Sequence, residues 1–240
     1  MDDSSRNTQL ANEILMELIT TYKENQIRIF LATINKALVQ HFAIKRDTDS
    51  EDDIDTMESY GTMEVDIPLE FYKEYGARKN YTRQEWNELI RSIMLPITIK
   101  EAGRERIINL IDEIDFNYET NNFHILFDEN YFQYVLLFRD NGYTVIDLAE
   151  IKQLSGKFEI GLYLAMWQFI QTGKRLFTID SCKRYFNCRA FENKTLMKEL
   201  RKAVKNINTK MGYKIELSTI VNNKAITNIM LEFPIGKRKV

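Results

Sequence analysis

Residues 192–211 (ENKTLMKELRKAVKNINTKM) constrain the fold more than any other stretch, because on an α-helix they separate into two chemically different faces. No Gly or Pro interrupts the pattern before Gly212, which stands where a helix C-cap glycine is expected. The apolar face holds Leu196, Met197, Leu200, Ala203, Val204, Ile207 and Met211. The other face holds Lys194, Lys198, Arg201, Lys202 and Lys205. We therefore predict a helix that buries one stripe and presents a row of cations.

Two alternating strands follow this helix, over residues 213–221 and 225–233, with Asn222-Asn-Lys224 as a tight turn between them. Apolar helices are predicted before it, over 146–154, 158–170 and 179–186. Helices followed by a long third helix and a hairpin are the order of a winged helix.

The same order of elements occurs earlier in the chain. Thr82 can cap a helix that runs to about Leu95, with Glu85 completing a capping box. The other predicted elements are a helix over 23–42, a strand over 63–69, a short helix over 71–75, and strands over 107–118 and 123–127. Helix and extended strand remain equally open for residues 10–22, and 131–138 suit a helix. The sequence thus predicts an α+β, mainly α fold of two tandem winged-helix domains.

Composition and turn signals suggest the domain boundaries. The predicted units are an N-terminal, partly disordered segment (1–22), a first winged-helix domain (23–140) with an acidic loop (46–60), a second winged-helix domain (141–235) and a basic tail (236–240). The loop is expected to be solvated, because residues 47–58 hold seven acids in twelve positions. An aspartate-rich calcium loop is a weak alternative, since the central glycine and the spaced final glutamate are missing.

Charge is divided unevenly between the two halves of the chain, although the formal net charge is only −2. Residues 151–240 hold 18 Lys and Arg against 6 Asp and Glu, a net charge of +12, whereas residues 1–150 hold the other 15 against 29, a net charge of −14. This asymmetry predicts that the second half meets a polyanion. No apolar run is long enough to span a membrane, and the polar start of the chain is unlike a secretory signal, so we expect a cytoplasmic protein.

Basic residues make the second domain the main candidate for DNA binding, because the third helix of a helix-turn-helix unit enters the major groove and a wing can touch the backbone. The candidate residues are Lys194, Lys198, Arg201, Lys202, Lys205, Lys183, Arg184 and Lys224. A secondary set, for which we expect mainly backbone contacts, is Arg78, Lys79, Arg83 and Arg91. We expect Arg201 to recognise guanine, because its planar guanidinium group can donate hydrogen bonds to guanine O6 and N7 together. The lysines are expected to contact phosphates.

Catalytic and metal-dependent functions find little support in the sequence. The chain has no GxxxxGK[ST] motif and therefore no P-loop. His41 and His124 stand far apart in apolar surroundings, which favours structural or surface roles over a shared metal site. Cys182 and Cys188 lack the second pair that a zinc site of this type requires. We expect no enzymatic activity, no cofactor and no metal.

Several segments resemble the iteron-type plasmid replication initiators, a family with two winged helices in tandem. Residues 154–166 (LSGKFEIGLYLAM) are similar to the family's leucine, short loop, aromatic residue and "RLYELL" helix, with Gly161 and Leu164 in place of its Arg and Glu. The remaining similar segments are 191–208, which resembles "F…LK..VL..A…IN", the closing wing at 229–233, and 12–14 with 26–34, which resemble the opening "NEL…EQ..L". The resemblance covers roughly residues 10–235.

The resemblance implies sequence-specific binding to directly repeated sites, or iterons, at a plasmid origin. It also implies opening of AT-rich duplex and recruitment of host replication proteins such as an initiator or helicase. A homodimer formed through the first domain would repress the protein's own promoter, and monomers would act at the origin, as in plasmid copy control. The expected partners are therefore double-stranded DNA, a second copy of the chain and host proteins, with no membrane involved.

Two other functions remain open on the sequence alone. One is a winged-helix transcriptional repressor without an initiator role. The other is a protein-docking module, in which the acidic first half binds a basic partner and DNA plays no part. Preference for origin DNA over scrambled DNA separates docking from DNA binding, and support of plasmid replication separates an initiator from a repressor.

Overall fold

The structure is a computed structural model that describes residues 7–48, 63–75, 80–101, 104–128, 143–223 and 225–235. Within these ranges the fold is α+β and mainly helical, with small antiparallel sheets. Most of the predicted acidic loop, the predicted helix over 131–138 and the basic tail lie outside the described residues.

The first winged-helix unit is built around helix α2 and a three-stranded sheet. The elements up to its end are β1 (Asn7–Ala11), α1 (Asn12–Thr21), α2 (Glu24–Thr48), β2 (Met63–Pro68), α3 (Leu69–Tyr75), α4 (Arg83–Arg91), β3 (Ile97–Glu101), β4 (Arg104–Ile108), β5 (Ile111–Asn117) and β6 (Asn122–Phe127). Strand β6 lies between β2 and β5. The predicted capping box starts α4: the Thr82 side chain accepts from the Glu85 amide, and the Glu85 carboxylate accepts from the Thr82 amide.

The second unit repeats this plan with a longer last helix. Its elements are β7 (Tyr143–Asp147), α5 (Leu148–Gln153), α6 (Lys157–Gln168), β8 (Lys174–Thr178), α7 (Ile179–Tyr185), α8 (Asn193–Met211), β9 (Glu216–Asn222) and β10 (Ala225–Glu232). Strand β10 lies between β8 and β9. The prediction of two tandem winged helices is confirmed.

The predicted hairpin wings form, as β5–β6 and β9–β10, but each belongs to a three-stranded sheet whose third strand the sequence pattern did not assign to it. The strand that precedes the last two helices of each unit, β2 or β8, pairs with the last strand of the wing and makes a three-stranded sheet. Strand β8 escapes prediction because Arg175, a charged residue, occupies one of its buried positions and hides the alternation of apolar and polar residues.

The prediction of a single strand over 107–118 is wrong, because parts of two strands from different sheets fall within that range. Strand β4 ends at Ile108 and pairs with β3, whereas β5 begins at Ile111 and pairs with β6. Ile107 is 73% exposed, and Leu110 between the strands is buried. The alternation of apolar and polar residues therefore continues from β4 into β5, and periodicity alone does not reveal that the two strands belong to different sheets.

The N-terminal segment, which the structure describes from Asn7, joins the second unit. Strand β1 pairs antiparallel with β7, from Asn7 opposite Asp147 to Ala11 opposite Tyr143. The segment that suited helix or strand equally well forms helix α1, which packs against α6, α7 and β3. Asp147 ends β7 and caps α5, so that helix starts at Leu148 rather than at 146.

Arg28 of α2 connects the two units directly. Its guanidinium is buried, with 4% of the residue exposed, and Nη1 donates to the Ile151 carbonyl at 2.8 Å. Nη2 donates to the Leu154 carbonyl and forms an ion pair with Glu24 at 3.0 Å. The end of α5 is thereby held against α2.

Candidate nucleic-acid interface

Helix α8 is anchored by the apolar face that the sequence predicts. The buried residues on that face are Leu196, Met197, Leu200, Ala203, Val204 and Ile207. The helix ends at Gly212, whose φ of 71° is left-handed and whose amide donates to the Asn208 carbonyl at 3.0 Å. The Asn208 side chain exchanges two hydrogen bonds with the backbone of Ile215, which fixes the connection to β9. The predicted helix over 192–211 is therefore confirmed as Asn193–Met211.

The opposite face of α8 carries a cationic ridge, which we define as Lys194, Lys198, Arg201, Lys202 and Lys205. All five side chains are exposed. At 3.6 residues per turn they fall within an arc of about 100° and extend over about 16 Å of helix axis. Among the described residues, none of the five forms an ion pair. The ridge therefore presents uncompensated positive charge along one side of a helix that can enter a major groove about 12 Å wide.

The C-terminal end of the ridge faces the wing. Arg201 and Lys205 line a shallow groove between α8 and β9, together with Leu217 of the wing. The tip of the wing is exposed at Ile220 and Val221, and Lys224 lies outside the described residues. Arg201 and Lys205 are thus the ridge residues that lie beside the wing.

A buried carboxylate positions the C-terminal half of α8. Glu159, in the first turn of α6, accepts hydrogen bonds from the Lys210 ammonium at 2.8 Å, the Asn206 amide at 2.7 Å and the Ser155 backbone at 2.7 Å. Burial raises the pKa of Glu159, but these donors outweigh burial and hold the pKa below its ordinary value. Sequence reasoning missed this contact because its partners are about 50 positions apart in the chain. Lys210 is therefore a structural cation and not part of the ridge.

We expect Glu159→Gln to lower the free energy of unfolding by about 1–2 kcal/mol at neutral pH, because a neutral amide cannot accept from all three donors. The native pKa of Glu159 lies below its unfolded value, so this stabilisation is present above the unfolded pKa and is lost as the pH falls through the native pKa. Urea unfolding of both proteins from neutral pH down to acid measures the difference. If the two proteins differed in free energy of unfolding by the same amount in acid as at neutral pH, the stabilisation would not come from an ionised Glu159.

The structure places the other predicted DNA-binding residues apart from the ridge. Arg184 is exposed and lines a groove with α1 and β8 that contains no residue of α8. Lys183 is half-buried, and its carbonyl accepts from the Cys188 amide at 2.8 Å. Their contact with DNA stays a prediction.

In the first unit, Arg83 and Arg91 are exposed at opposite ends of α4 and do not form a continuous row. Arg83 lies over the rings of Phe116 and Tyr118, at 5.7 and 5.9 Å, which joins the start of α4 to the first wing. Arg78 and Lys79 lie outside the described residues.

The described histidine and cysteine side chains contact other protein groups and do not form a metal-binding cluster. Nδ1 of His124 lies 3.1 Å from an Asp66 carboxylate oxygen on the neighbouring strand, while the side chain of His41 is outside the described part. Cys182 and Cys188 are buried free thiols. Over the described ranges, no cluster of three or more His, Cys, Asp or Glu could hold a metal ion. In the same ranges, no helix has the length and apolarity that a bilayer crossing requires.

Solved structures include proteins with this arrangement. The crystal structure of the Pi initiator protein in complex with iteron DNA matches with a TM-score of 0.66 and 13% sequence identity, over 98% of this chain and 99% of that chain. This chain has the fold of the Pi initiator protein. Domains 2 and 3 of RctB, solved as selenomethionine derivatives, match with a TM-score of 0.53 and 8% identity, over 88% of this chain and 81% of that chain. No family model and no curated protein sequence matches the chain.

Proposed function

We propose that this protein is a replication initiator that binds repeated sites at an origin through helix α8. The observation that carries the proposal is the cationic ridge, which is exposed along its whole length while the opposite face of α8 is buried. The fold supports it, because the Pi initiator protein with the same fold has been solved in complex with iteron DNA.

In this proposal α8 lies in the major groove and the ridge divides two tasks. Arg201 pairs with a guanine, because its planar fork can donate to O6 and N7 together. The lysines contact phosphates, which set affinity and its salt dependence. The wing beside Arg201, together with Lys224 and Lys183, contributes backbone contacts. Arg184 contributes least, because it lines a groove that contains no residue of α8.

The first unit has a secondary role in this proposal. Arg78, Lys79, Arg83 and Arg91 make weaker contacts with the DNA backbone, and the same unit forms the homodimer. The dimer represses the protein's own promoter, and the monomer acts at the plasmid origin and recruits host replication proteins. The protein works in the bacterial cytoplasm and catalyses no reaction itself.

The proposal is tested by gel shift with DNA that flanks the protein's own gene, compared with scrambled DNA of equal length, followed by a footprint. We expect protection of evenly spaced, directly repeated sites. Equal affinity for both DNAs would overturn sequence-specific binding and favour the docking function. Site-specific binding without support of plasmid replication would overturn the initiator role and leave a repressor.

Arg201→Ala is expected to weaken binding to the cognate repeat by about 1–3 kcal/mol and to relax the preference for guanine at one position. Arg201 is exposed, so the substitution should leave the fold intact. Binding to a set of repeats with each base pair changed in turn measures the preference.

Lys205→Ala is the matched control, one turn further along the same ridge. We expect it to weaken binding to all sequences alike and to reduce the slope of log K against log salt by about 1. If Arg201→Ala behaves in the same way as Lys205→Ala, Arg201 is a backbone contact and the assignment of a guanine reader is wrong.

A further inference from the structure

A groove of about 780 Å³ runs along strand β8, on a side of the second unit that includes no residue of α8. All four residues from Lys174 to Phe177 line it, although their side chains alternate between exposed and buried. The groove therefore follows the edge of the strand and not one face of the sheet. Within the described residues β8 pairs only with β10, so this edge has no strand partner. Helix α1 forms the opposite wall.

The floor of the groove holds a buried cation, Arg175, of which 9% is exposed. Its guanidinium lies 4.5 Å from the ring of Phe169, 4.4 Å from that of Phe177 and 4.7 Å from that of Tyr185. Nη1 donates to the Gln168 side chain at 2.7 Å, and Nη2 lies 3.2 Å from the sulfur of Met16.

Arg175 has no carboxylate partner in the described part of the chain. A buried charge is costly unless it is paired, and burial lowers the pKa of this guanidinium. The aromatic rings offset part of that cost. A carboxylate entering the groove would supply the missing counter-charge.

The rim of the groove combines apolar surface with an excess of positive charge. Leu176 is 53% exposed, and the flexible side chain of Met230 lies beside it in the lining. Three cations, Lys174, Arg175 and Arg184, line the groove against one acid, Glu17, whose carboxylate is within 3.4 Å of the Thr20 hydroxyl. The surface therefore complements a ligand that is both acidic and apolar.

We propose that the groove binds an extended, acidic segment of a partner protein, which adds to β8 as a further strand. Backbone hydrogen bonds to the free edge supply affinity, and alternating side chains supply specificity. Carboxylates on one face of the added strand lie near Arg175, and apolar side chains on its other face cover Leu176 and Met230. Lys174, at the rim, adds to the attraction for an acidic segment. A protein segment fits better than single-stranded nucleic acid, because the faces of the buried rings are occupied by Arg175 and offer no stacking platform. This surface would leave α8 free to hold DNA.

The test uses three labelled peptides of equal length that alternate Leu with Glu, Gln or Lys, and measures binding to the full chain by fluorescence anisotropy. We expect the Glu peptide to bind about tenfold more tightly than the Gln peptide and the Lys peptide not to bind. Methylation of alternate backbone nitrogens on the Glu peptide should abolish binding, because strand addition needs the N–H donors.

Two variants at exposed positions locate the site, Leu176→Asp and Lys174→Glu. Each should weaken binding of the Glu peptide about tenfold. Lys214→Glu, which makes the same charge change as Lys174→Glu but lies outside the groove, should leave that binding unchanged. All three variants should retain duplex binding in a gel shift. Equal binding of the three peptides, no binding of the Glu peptide, or binding unaffected by Leu176→Asp would overturn the proposal. Displacement of the Glu peptide by single-stranded DNA that binds more tightly would also overturn it.

Discussion

Replacement of Lys198, Lys202 and Lys205 together by alanine is expected to weaken binding to the origin repeat about 10³-fold at 50 mM salt and about 25-fold at 200 mM. Each phosphate contact releases counterions and contributes about 0.9 to the slope of log K against log salt, so three lost contacts reduce the slope by about 2.7. The three side chains are exposed and make no ion pair with described residues, so the fold should persist. Filter binding at several salt concentrations measures both quantities.

The control removes the same formal charge from elsewhere, by replacing Lys152, Lys174 and Lys214 with alanine. These lysines lie outside α8, and at 200 mM salt charges more than about 8 Å from the DNA are largely screened. We expect the control to keep nearly the full salt slope. If the control variant lost as much affinity as the ridge variant, the net charge of the C-terminal half of the chain, and not the ridge, would determine binding.

The ridge and its helix could be predicted because both depend on neighbours along the chain. The apolar spacing fixes which side of α8 is buried, and the cations between Lys194 and Lys205 follow from the same helical period. Gly212 adopts the left-handed conformation expected of a C-cap, and the capping box at Thr82 forms as predicted. Such features need no knowledge of tertiary contacts.

Other features of the site could not be predicted, since they depend on contacts between distant segments. Gly161 shows the difficulty, because the resemblance to known initiators leads one to expect Arg at that position. A Cβ there would lie 2.6 Å from Cε1 of Phe186 and 3.4 Å from Cγ2 of Ile19. The close approach of α1 and Phe186 to α6 therefore excludes a side chain. That approach brings together residues from three separate elements, which periodicity cannot indicate.

The position of Lys183 and Arg184 relative to the ridge could not be predicted for the same reason. Helical period places Lys183 and Arg184 on α7, but only the packing of α7 against α1 and β8 shows that Arg184 lines the groove along β8. Glu159 and Arg175 carry charge at buried positions, which a sequence pattern takes as exposed.

Arg28→Met is expected to lower the free energy of unfolding by about 3 kcal/mol, because it removes charged hydrogen bonds that hold the end of α5 against α2. Met has a similar length and keeps the apolar packing of the stem, so the loss reports the guanidinium. The two carbonyls involved, of Ile151 and Leu154, lie more than 120 positions from Arg28 in the chain. Urea unfolding measures the loss.

The chain offers one tryptophan in each winged-helix unit, Trp86 in α4 and Trp167 in α6, and this separates two explanations of the expected loss. With either one replaced by Phe, fluorescence follows one unit at a time. If Arg28 couples the units, the two transitions should coincide in the parent chain and move apart in Arg28→Met. Lys152→Met, which removes the exposed ion pair with Glu74 at 3.3 Å, should change stability by less than about 0.5 kcal/mol and leave the transitions together. Coincident transitions in Arg28→Met would show that the units are held together by their remaining contacts, and that Arg28 stabilises only its own surroundings.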